Sequence, residues 1–371
     1  MSNLLPNPQS GQSGSADPSA SLPALWGYIQ PALDHIIRSP TNNLSKAPAV
    51  DVHYHMGIHT ALYNYFTNHA TAAPPPPGPP PPSHPAKGAS AHHPTRGSSA
   101  ALPLGHDVYD RLDAYFADVA REVLIGAPLD DSALVHYLVP CFIRYSAGAQ
   151  SIHRLLNYVN RQYVRRAVDE DKGWLRFGDI ISSELAVGLA AGIGGPGDNG
   201  LGGAGSHRRI AEKMRERRAA ELRRWGAPDG GTVEQLALAE ACAEAASSPE
   251  RVVPVLSLAY RRFRAEVLEP LLAVPNSKCK GRKMKKGKQT GGWPVTTTEG
   301  TVDSDAGANR TALGPRGRLA RSVKELLESK GGDEEEQNRL ACEMADMLMR
   351  VGVRPDHPLR RRLRKFCVVA T

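Results

Sequence analysis

Residues 156–170, LNYVNRQYVRRAVDE, decide the fold of this chain together with the residues that lead into them. Apolar side chains recur here every three or four positions, at Ile152, Leu155, Leu156, Val159, Tyr163 and Val164. This spacing places them on one face of an α-helix, so it predicts a helix over 149–168 with that face buried. We expect Arg165, Arg166 and Asp169 to form a solvated or salt-bridged surface rather than a catalytic site.

The same periodicity recurs on both sides of this stretch. Towards the N-terminus it predicts helices over 22–37, 50–68, from Tyr109 onwards and over 132–145. Towards the C-terminus it predicts helices over 180–189, 209–225, 233–246, 250–272 and 319–350. Pro31 and Pro140 are expected to kink or interrupt their helices, because proline removes a backbone hydrogen bond. No long segment alternates with a period of two, so the predicted fold class is all-α.

Glycine and proline are abundant, with 35 and 30 residues, and they are clustered. Clusters of this composition cannot form a packed core, so we expect long disordered linkers between the helices. The predicted organisation, in chain order, is a disordered tail (1–21), the first two helices of a helical unit (22–69), a Pro-rich disordered insertion (70–103), the remaining helices of that unit (104–191), a Gly-rich linker (192–206), a divergent helical segment (207–275), a basic low-complexity linker (276–318) and a helical segment with a basic tail (319–371).

The net charge and the distribution of cysteines indicate which partners, structural modules and cellular compartment to expect. The net charge of +8 is a mild basic excess that favours acidic partners. The five cysteines are scattered without a C-x-x-C pair, which argues against a disulfide framework or zinc module and for a reducing compartment. Residues 1–20 do not resemble a signal peptide, and no run of about 18 apolar residues predicts a membrane span. We therefore expect a soluble protein of the cytoplasm, the nucleus or both.

Motifs that carry chemistry are weak in this chain. GIGGPG at 192–197 superficially resembles a dinucleotide fingerprint, but a predicted helix precedes it where a strand is needed, so a linker is favoured. His55 and His59 have a spacing that suits a metal, yet no third ligand is in view, and an interaction surface is the favoured interpretation. No nucleophile elbow or Walker A loop occurs. We predict no catalytic residue, no metal site and no cofactor.

The densest charge run is KCKGRKMKKGK at 278–288. It fits a nuclear localisation signal or a nucleic-acid patch, but no aromatic residue is interleaved to stack on bases, so a solvated basic linker is favoured. A basic, helical, nucleic-acid-associated protein that uses 207–224 and 278–288 stays open as an alternative function. An enzyme with an unrecognised helical site is a further one.

Four segments together resemble the first helical repeat of a cullin amino-terminal domain. They are Trp26 in its opening helix, TALYNYFT at 60–67, YDRL at 109–112, and the stretch 156–170, which is similar to the family pattern Tyr-Leu-Asn-Arg-x-Trp-Val-Arg-Arg-Glu-x-Asp-Glu. The sequence departs from the family at Phe142, where tryptophan is usual, at Ala167, where glutamate is expected, and at Gly57 within the second helix. The resemblance covers about a third of the chain. Residues 233–271 are weakly similar to part of the family's third repeat.

The resemblance implies a bundle or solenoid of cullin repeats and a role without catalysis. Cullins are scaffolds of multi-subunit ubiquitin ligases, and such a chain would bind a BTB-fold adaptor that carries an F-box substrate receptor in ubiquitin-dependent protein catabolism. The implied adaptor-binding residues are His55, Met56, Ile58, His59, Leu62, Tyr145, Ala149, Ile152 and His153. Leu62 and Ile152 also fit a position in the bundle core, and for Tyr63, Leu155, Leu156 and Val159 the core is favoured.

A RING subunit is not expected as a partner, because no segment resembles the family's RING-binding half. We likewise expect no membrane partner, and nucleic acid only under the alternative function.

Overall fold

The computed structural model describes residues 17–71, 105–176 with Gly178, 204–273, 317–329 and 333–369. These residues form eleven helices and contain no strand, which confirms the all-α prediction for the part of the chain described. The predicted helix over 180–189, the basic run 278–288 and most of the predicted linkers 70–103, 192–206 and 276–318 lie outside the described residues. At the ends of these linkers, residues 70–71, 204–206 and 318 are helical instead. Among the described helices, none combines the length and apolar character that crossing a membrane requires.

The helices follow the predicted periodicity closely. Their bounds are α1 Leu22–Arg38, α2 Val52–Thr71, α3 His106–Ile125, α4 Asp131–Leu155, α5 over 157–169, α6 Ala204–Arg224, α7 Val233–Ala246, α8 over 255–272, α9 Arg318–Glu328, α10 Glu334–Arg350 and α11 Pro358–Val369. Side-chain caps define the N-termini of several helices. The Ser21 hydroxyl accepts a hydrogen bond from the Ala24 N–H, and Thr232 forms a capping box with Gln235.

Two of these helices contain a π-helical turn. In α5, the turn Asn160–Val164 separates the α-helical pieces Asn157–Val159 and Arg165–Asp169. The Arg165 N–H donates to the Asn160 carbonyl, five residues back rather than four. In α8, the turn Arg264–Leu268 lies between Val255–Phe263 and Glu269–Leu272.

Several predicted boundaries are wrong. Pro140 does not interrupt α4, which continues to Leu155 because buried residues before and after the proline keep the helix packed. The break falls instead at Leu156. Helix α8 starts at Val255 because Pro254 precedes it, and the single helix expected over 319–350 is two, with Asp333 capping α10. The basic tail forms α11.

One hydrophobic core connects helices from both halves of the chain. Fully buried side chains include Leu33 of α1, Phe116 of α3, Leu138 of α4, Phe263 of α8 and Leu348 of α10. Helix α8 packs against both α3 and α4. Buried residues between Ala245 and Leu271 and between Leu319 and Leu363 therefore contribute to the same core as the residues that resemble a cullin repeat. Leu222, Ala227 and Ala239 form a second, smaller cluster.

Buried hydroxyl groups attach α3 and α4 to the α8 segment. The Tyr109 hydroxyl donates to the Val253 carbonyl at 2.9 Å and accepts from the Val253 N–H at 3.0 Å. The Tyr145 hydroxyl donates to the Ala259 carbonyl at 2.9 Å. Because these groups are buried, leaving one unpaired would cost the free energy of its desolvation.

The structure also corrects the expectation that the cysteines form no disulfide. Cys342 of α10 and Cys367 of α11 form a disulfide, with their Cα atoms 5.8 Å apart, although their scattered positions argued against disulfides. Helix packing brings together residues that are 25 positions apart, and sequence spacing does not reveal this. Cys141 and Cys242 are free thiols.

We expect Tyr109→Phe to lower the free energy of unfolding by about 1–3 kcal/mol, because it leaves the buried Val253 N–H and carbonyl without their partner. Urea denaturation measures the change. Tyr158→Phe is the matched control, since that residue is only partly buried, and it should stay within about 0.5 kcal/mol of the wild type. Equal effects of the two substitutions would contradict the proposed importance of the Tyr109 contact.

A second prediction concerns pH. Burial raises the pKa of Glu244 in α7 to about 7, although the carboxylate accepts a hydrogen bond from the Ser257 hydroxyl at 2.6 Å. The pKa in the folded state is above that of the unfolded chain, so stability from this group is present at low pH and is lost as pH rises from about 4.5 to about 7.

Glu244→Gln removes this titration. We compare the free energy of unfolding of the variant with that of the wild type at each pH. This difference should be more favourable to the variant at pH 8 than at pH 4, by on the order of 2–3 kcal/mol. Denaturation across this pH range measures the gain, with Glu250→Gln as the control on an exposed carboxylate. An unchanged pH slope in Glu244→Gln would rule out this group as the source.

Candidate functional site

Helix α2 buries one face and exposes the other. Tyr54, Ile58, Leu62 and Tyr65 are buried against α1 and the core. On the opposite side, Met56 is 57% exposed and Tyr63 is 51% exposed, with His55 and His59 also exposed. The outer face of α2 therefore presents large aromatic and sulfur-containing side chains to solvent.

Tyr158 at the start of α5 connects this outer face to the neighbouring helix. Its ring contacts those of His59, Tyr63 and Phe66 edge to face, at centroid distances of 5.7, 5.9 and 5.5 Å. Burial raises the pKa of Tyr158, so its hydroxyl is neutral at physiological pH. We call the set Met56, His59, Tyr63 and Tyr158 the aromatic ridge.

His153 lies beside the ridge in a mainly structural position. Its Nδ1 is 3.3 Å from the Asn160 side-chain nitrogen, and the Asn160 side-chain oxygen accepts a hydrogen bond from the Val255 N–H at 3.0 Å. Burial, together with the charge of Arg154, lowers the pKa of His153 and keeps its ring neutral. This chain of contacts ties the end of α4 and the π turn of α5 to α8.

The structure divides the residues that the resemblance implied for adaptor binding. His55, Met56 and His59 are exposed, and His153 is half-buried. Five others are at most 2% exposed and cannot present their side chains to a partner in this structure; they are Ile58, Leu62, Tyr145, Ala149 and Ile152.

Tyr145 shows the physical reason. Its hydroxyl bonds to Ala259 and its ring lies 5.1 Å from that of Phe263, so it faces α8 rather than solvent. Helical spacing identifies a face but does not say which packed element covers it. Tyr63, which the sequence favoured as core, is exposed and belongs to the ridge.

Metal binding and nucleic-acid binding gain no support from the described residues. Within them, no three His, Cys, Asp or Glu side chains are grouped so that they could hold a metal ion. The arginines at the end of α6 form ion pairs with nearby carboxylates, at 2.6 Å for Arg218 with Glu240 and 2.7 Å for Arg224 with Glu221. Arg217 and Arg223 are paired in the same way. These pairs neutralise part of the basic segment that the nucleic-acid alternative requires.

Truncation of Tyr145 and of Tyr63 should lower the free energy of unfolding by very different amounts. Tyr145→Ala is expected to lower the free energy of unfolding by about 3–5 kcal/mol, because it opens a cavity between α4 and α8. Tyr63→Ala, at an exposed position, should cost less than about 1 kcal/mol. Thermal and urea denaturation measure both. A small effect of Tyr145→Ala would show that its side chain is not part of the core.

Comparison with known proteins finds a distant similarity to a cullin. The chain is 22% identical over 160 residues to Cell division control protein 53 of Saccharomyces cerevisiae, a yeast cullin. The aligned region covers 42% of this chain and only 17% of that protein. No family model and no solved structure matches the chain. The similarity to this yeast cullin covers less than half of the chain.

Proposed function

We propose that this chain is a non-catalytic, cullin-like scaffold that binds a BTB-fold adaptor carrying an F-box substrate receptor, within a cullin-RING ubiquitin ligase of the cytoplasm or nucleus. The observation that carries the proposal is the exposed aromatic ridge on α2 and α5. The distant similarity to a yeast cullin supports it.

The ridge has the properties of an interface centre. Met56, His59 and Tyr63 follow one another at helical spacing, which is how one helix presents anchors to a partner. Tyrosine and methionine are enriched where partner surfaces are desolvated, and clustered aromatic residues often dominate binding energy. The edge-to-face contacts of Tyr158 hold the rings in place before binding, so less side-chain entropy is lost.

In this proposal the chain contributes to catalysis only through position. A scaffold that holds a bound substrate near an activated enzyme turns an encounter between two molecules into a step within one assembly. The rate gain then depends on how rigidly the adaptor is held. The core shared by α2, α4, α5 and α8 supplies that rigidity.

The test uses the full chain and a purified BTB-fold adaptor in complex with an F-box receptor. We expect the wild type to bind, and His59→Asp and Tyr63→Ala each to weaken the affinity at least about tenfold, because they change anchors at the centre of the ridge. Isothermal titration calorimetry measures the affinities.

His136→Asp on α4 and Ile125→Ala at the end of α3 are the controls. Both residues are exposed and lie away from the ridge in sequence, so binding should not change. Failure of the folded wild type to bind, or wild-type affinity in both ridge variants, would refute the proposed function.

A further inference from the structure

The segments that form the aromatic ridge contain no acidic residue before Asp169, the last residue of α5. No Asp or Glu occurs over 52–68 or over 145–168. The second of these ranges contains Arg154, Arg161, Arg165 and Arg166, and all four are exposed. We call these four residues the arginine rim.

The rim lies next to the ridge. Arg161 follows Tyr158 by three positions, so it lies beside Tyr158 on α5. Because the π turn Asn160–Val164 adds one residue, Arg166 rather than Arg165 comes next on that side. The charge of Arg166 acts on the Tyr158 hydroxyl, and the charge of Arg154 acts on the His153 ring. Positive charge therefore borders the exposed aromatic surface.

The rim arginines have no carboxylate partner among the described residues. Arg166 donates to the Gln162 side chain at 3.4 Å, and no ion pair is formed by Arg154, Arg161 or Arg165 within the described part of the chain. Asp169 at the end of α5 is exposed and forms no ion pair with the rim, and three other acidic residues of this region have other partners. Asp107 accepts from Tyr65, Asp110 pairs with His106 at 2.8 Å, and Glu170 pairs with Lys172 at 2.8 Å.

Several arginines outside the rim pair with carboxylates of another helix. In α8, Arg262 donates to Asp113 of α3 at 2.6 Å, and in α9 both Arg318 and Arg321 pair with Asp131. The rim arginines differ from these because they are exposed beside an apolar surface. A carboxylate from a partner would complete the pairing that the chain itself leaves open.

We propose that the partner surface received by the aromatic ridge is acidic, and that its Asp or Glu carboxylates engage the arginine rim. This inference rests on the proposed function and adds the chemistry of the adaptor face. Guanidinium groups bind carboxylates through two parallel hydrogen bonds, which fixes orientation as well as charge. Complementary charge at the edge of an interface mainly raises the association rate.

An acidic protein surface fits the geometry better than a nucleic acid. Single-stranded nucleic acids bind in grooves where bases stack on free aromatic faces. The ridge rings contact one another edge to face.

The first test measures association kinetics with the BTB-fold adaptor and F-box receptor at low and high salt. The double variant Arg161→Glu/Arg166→Glu should lower the association rate at low salt about tenfold and flatten its salt dependence, because steering is lost. The matched control, Arg361→Glu/Arg364→Glu on α11, makes the same charge change at exposed positions outside the rim and should associate at the wild-type rate. Circular dichroism confirms that each variant folds.

The second test uses a soluble peptide rich in Asp and Glu with a single Phe, followed by NMR, so that the inference does not depend on the adaptor. Chemical shifts should change in α2 and α5, and the rim variant should bind at least about fivefold more weakly than the control variant. The same peptide with Asn and Gln should not bind. A single-stranded oligonucleotide is tested under the same conditions.

The outcomes separate the two proposals. If the acidic peptide binds at the rim but the adaptor does not bind, the charge inference stands and the proposed function fails. If the adaptor binds with the same salt dependence in the wild type and the rim variant, the proposed function stands and the charge inference is wrong. Absence of peptide binding, or tighter binding of the oligonucleotide than of the peptide, also overturns the inference.

Discussion

The packing of α8 against α3 and α4 is the contact on which the rest of the structure depends. The Tyr109 hydroxyl binds both backbone groups of Val253 across 144 positions of sequence, and the ring of Tyr145 lies against that of Phe263. This contact decides which face of α4 is interior. It thereby sets the direction in which α5 leaves α4, and with it the position of Tyr158 beside α2.

Two groups of arginines in the described chain have different physical roles. Those near the α3–α8 and α4–α9 contacts, such as Arg262 and Arg318, pair with carboxylates of another helix and satisfy partly buried charge. Those of α5 stay in water, where a single exposed ion pair contributes little to stability. Exposed aromatic side chains and exposed arginines therefore share a surface whose arginines add little to the stability of the fold.

Sequence periodicity predicted most helices of the described chain because amphipathic spacing and caps are local signals. The cap at Ser21 and the capping box at Thr232 are local signals of this kind, because each involves residues only three positions apart. Periodicity could not show that Tyr145 is covered and Tyr63 is exposed, because that depends on α8, more than a hundred residues away. The Cys342–Cys367 disulfide was missed for the same reason, since both cysteines meet only after α10 and α11 have packed.

The π turns of α5 and α8 affect how this chain can be compared with its relatives. A π turn accommodates one inserted residue locally, so the α-helical pieces on either side keep the orientation they would have without it. Each residue advances an α-helix by about 100°, and a position count that ignores the insertion therefore assigns the wrong side of the helix to every later residue. An alignment with a homologue whose helix is uninterrupted needs a one-residue gap within Asn160–Val164, and another within Arg264–Leu268.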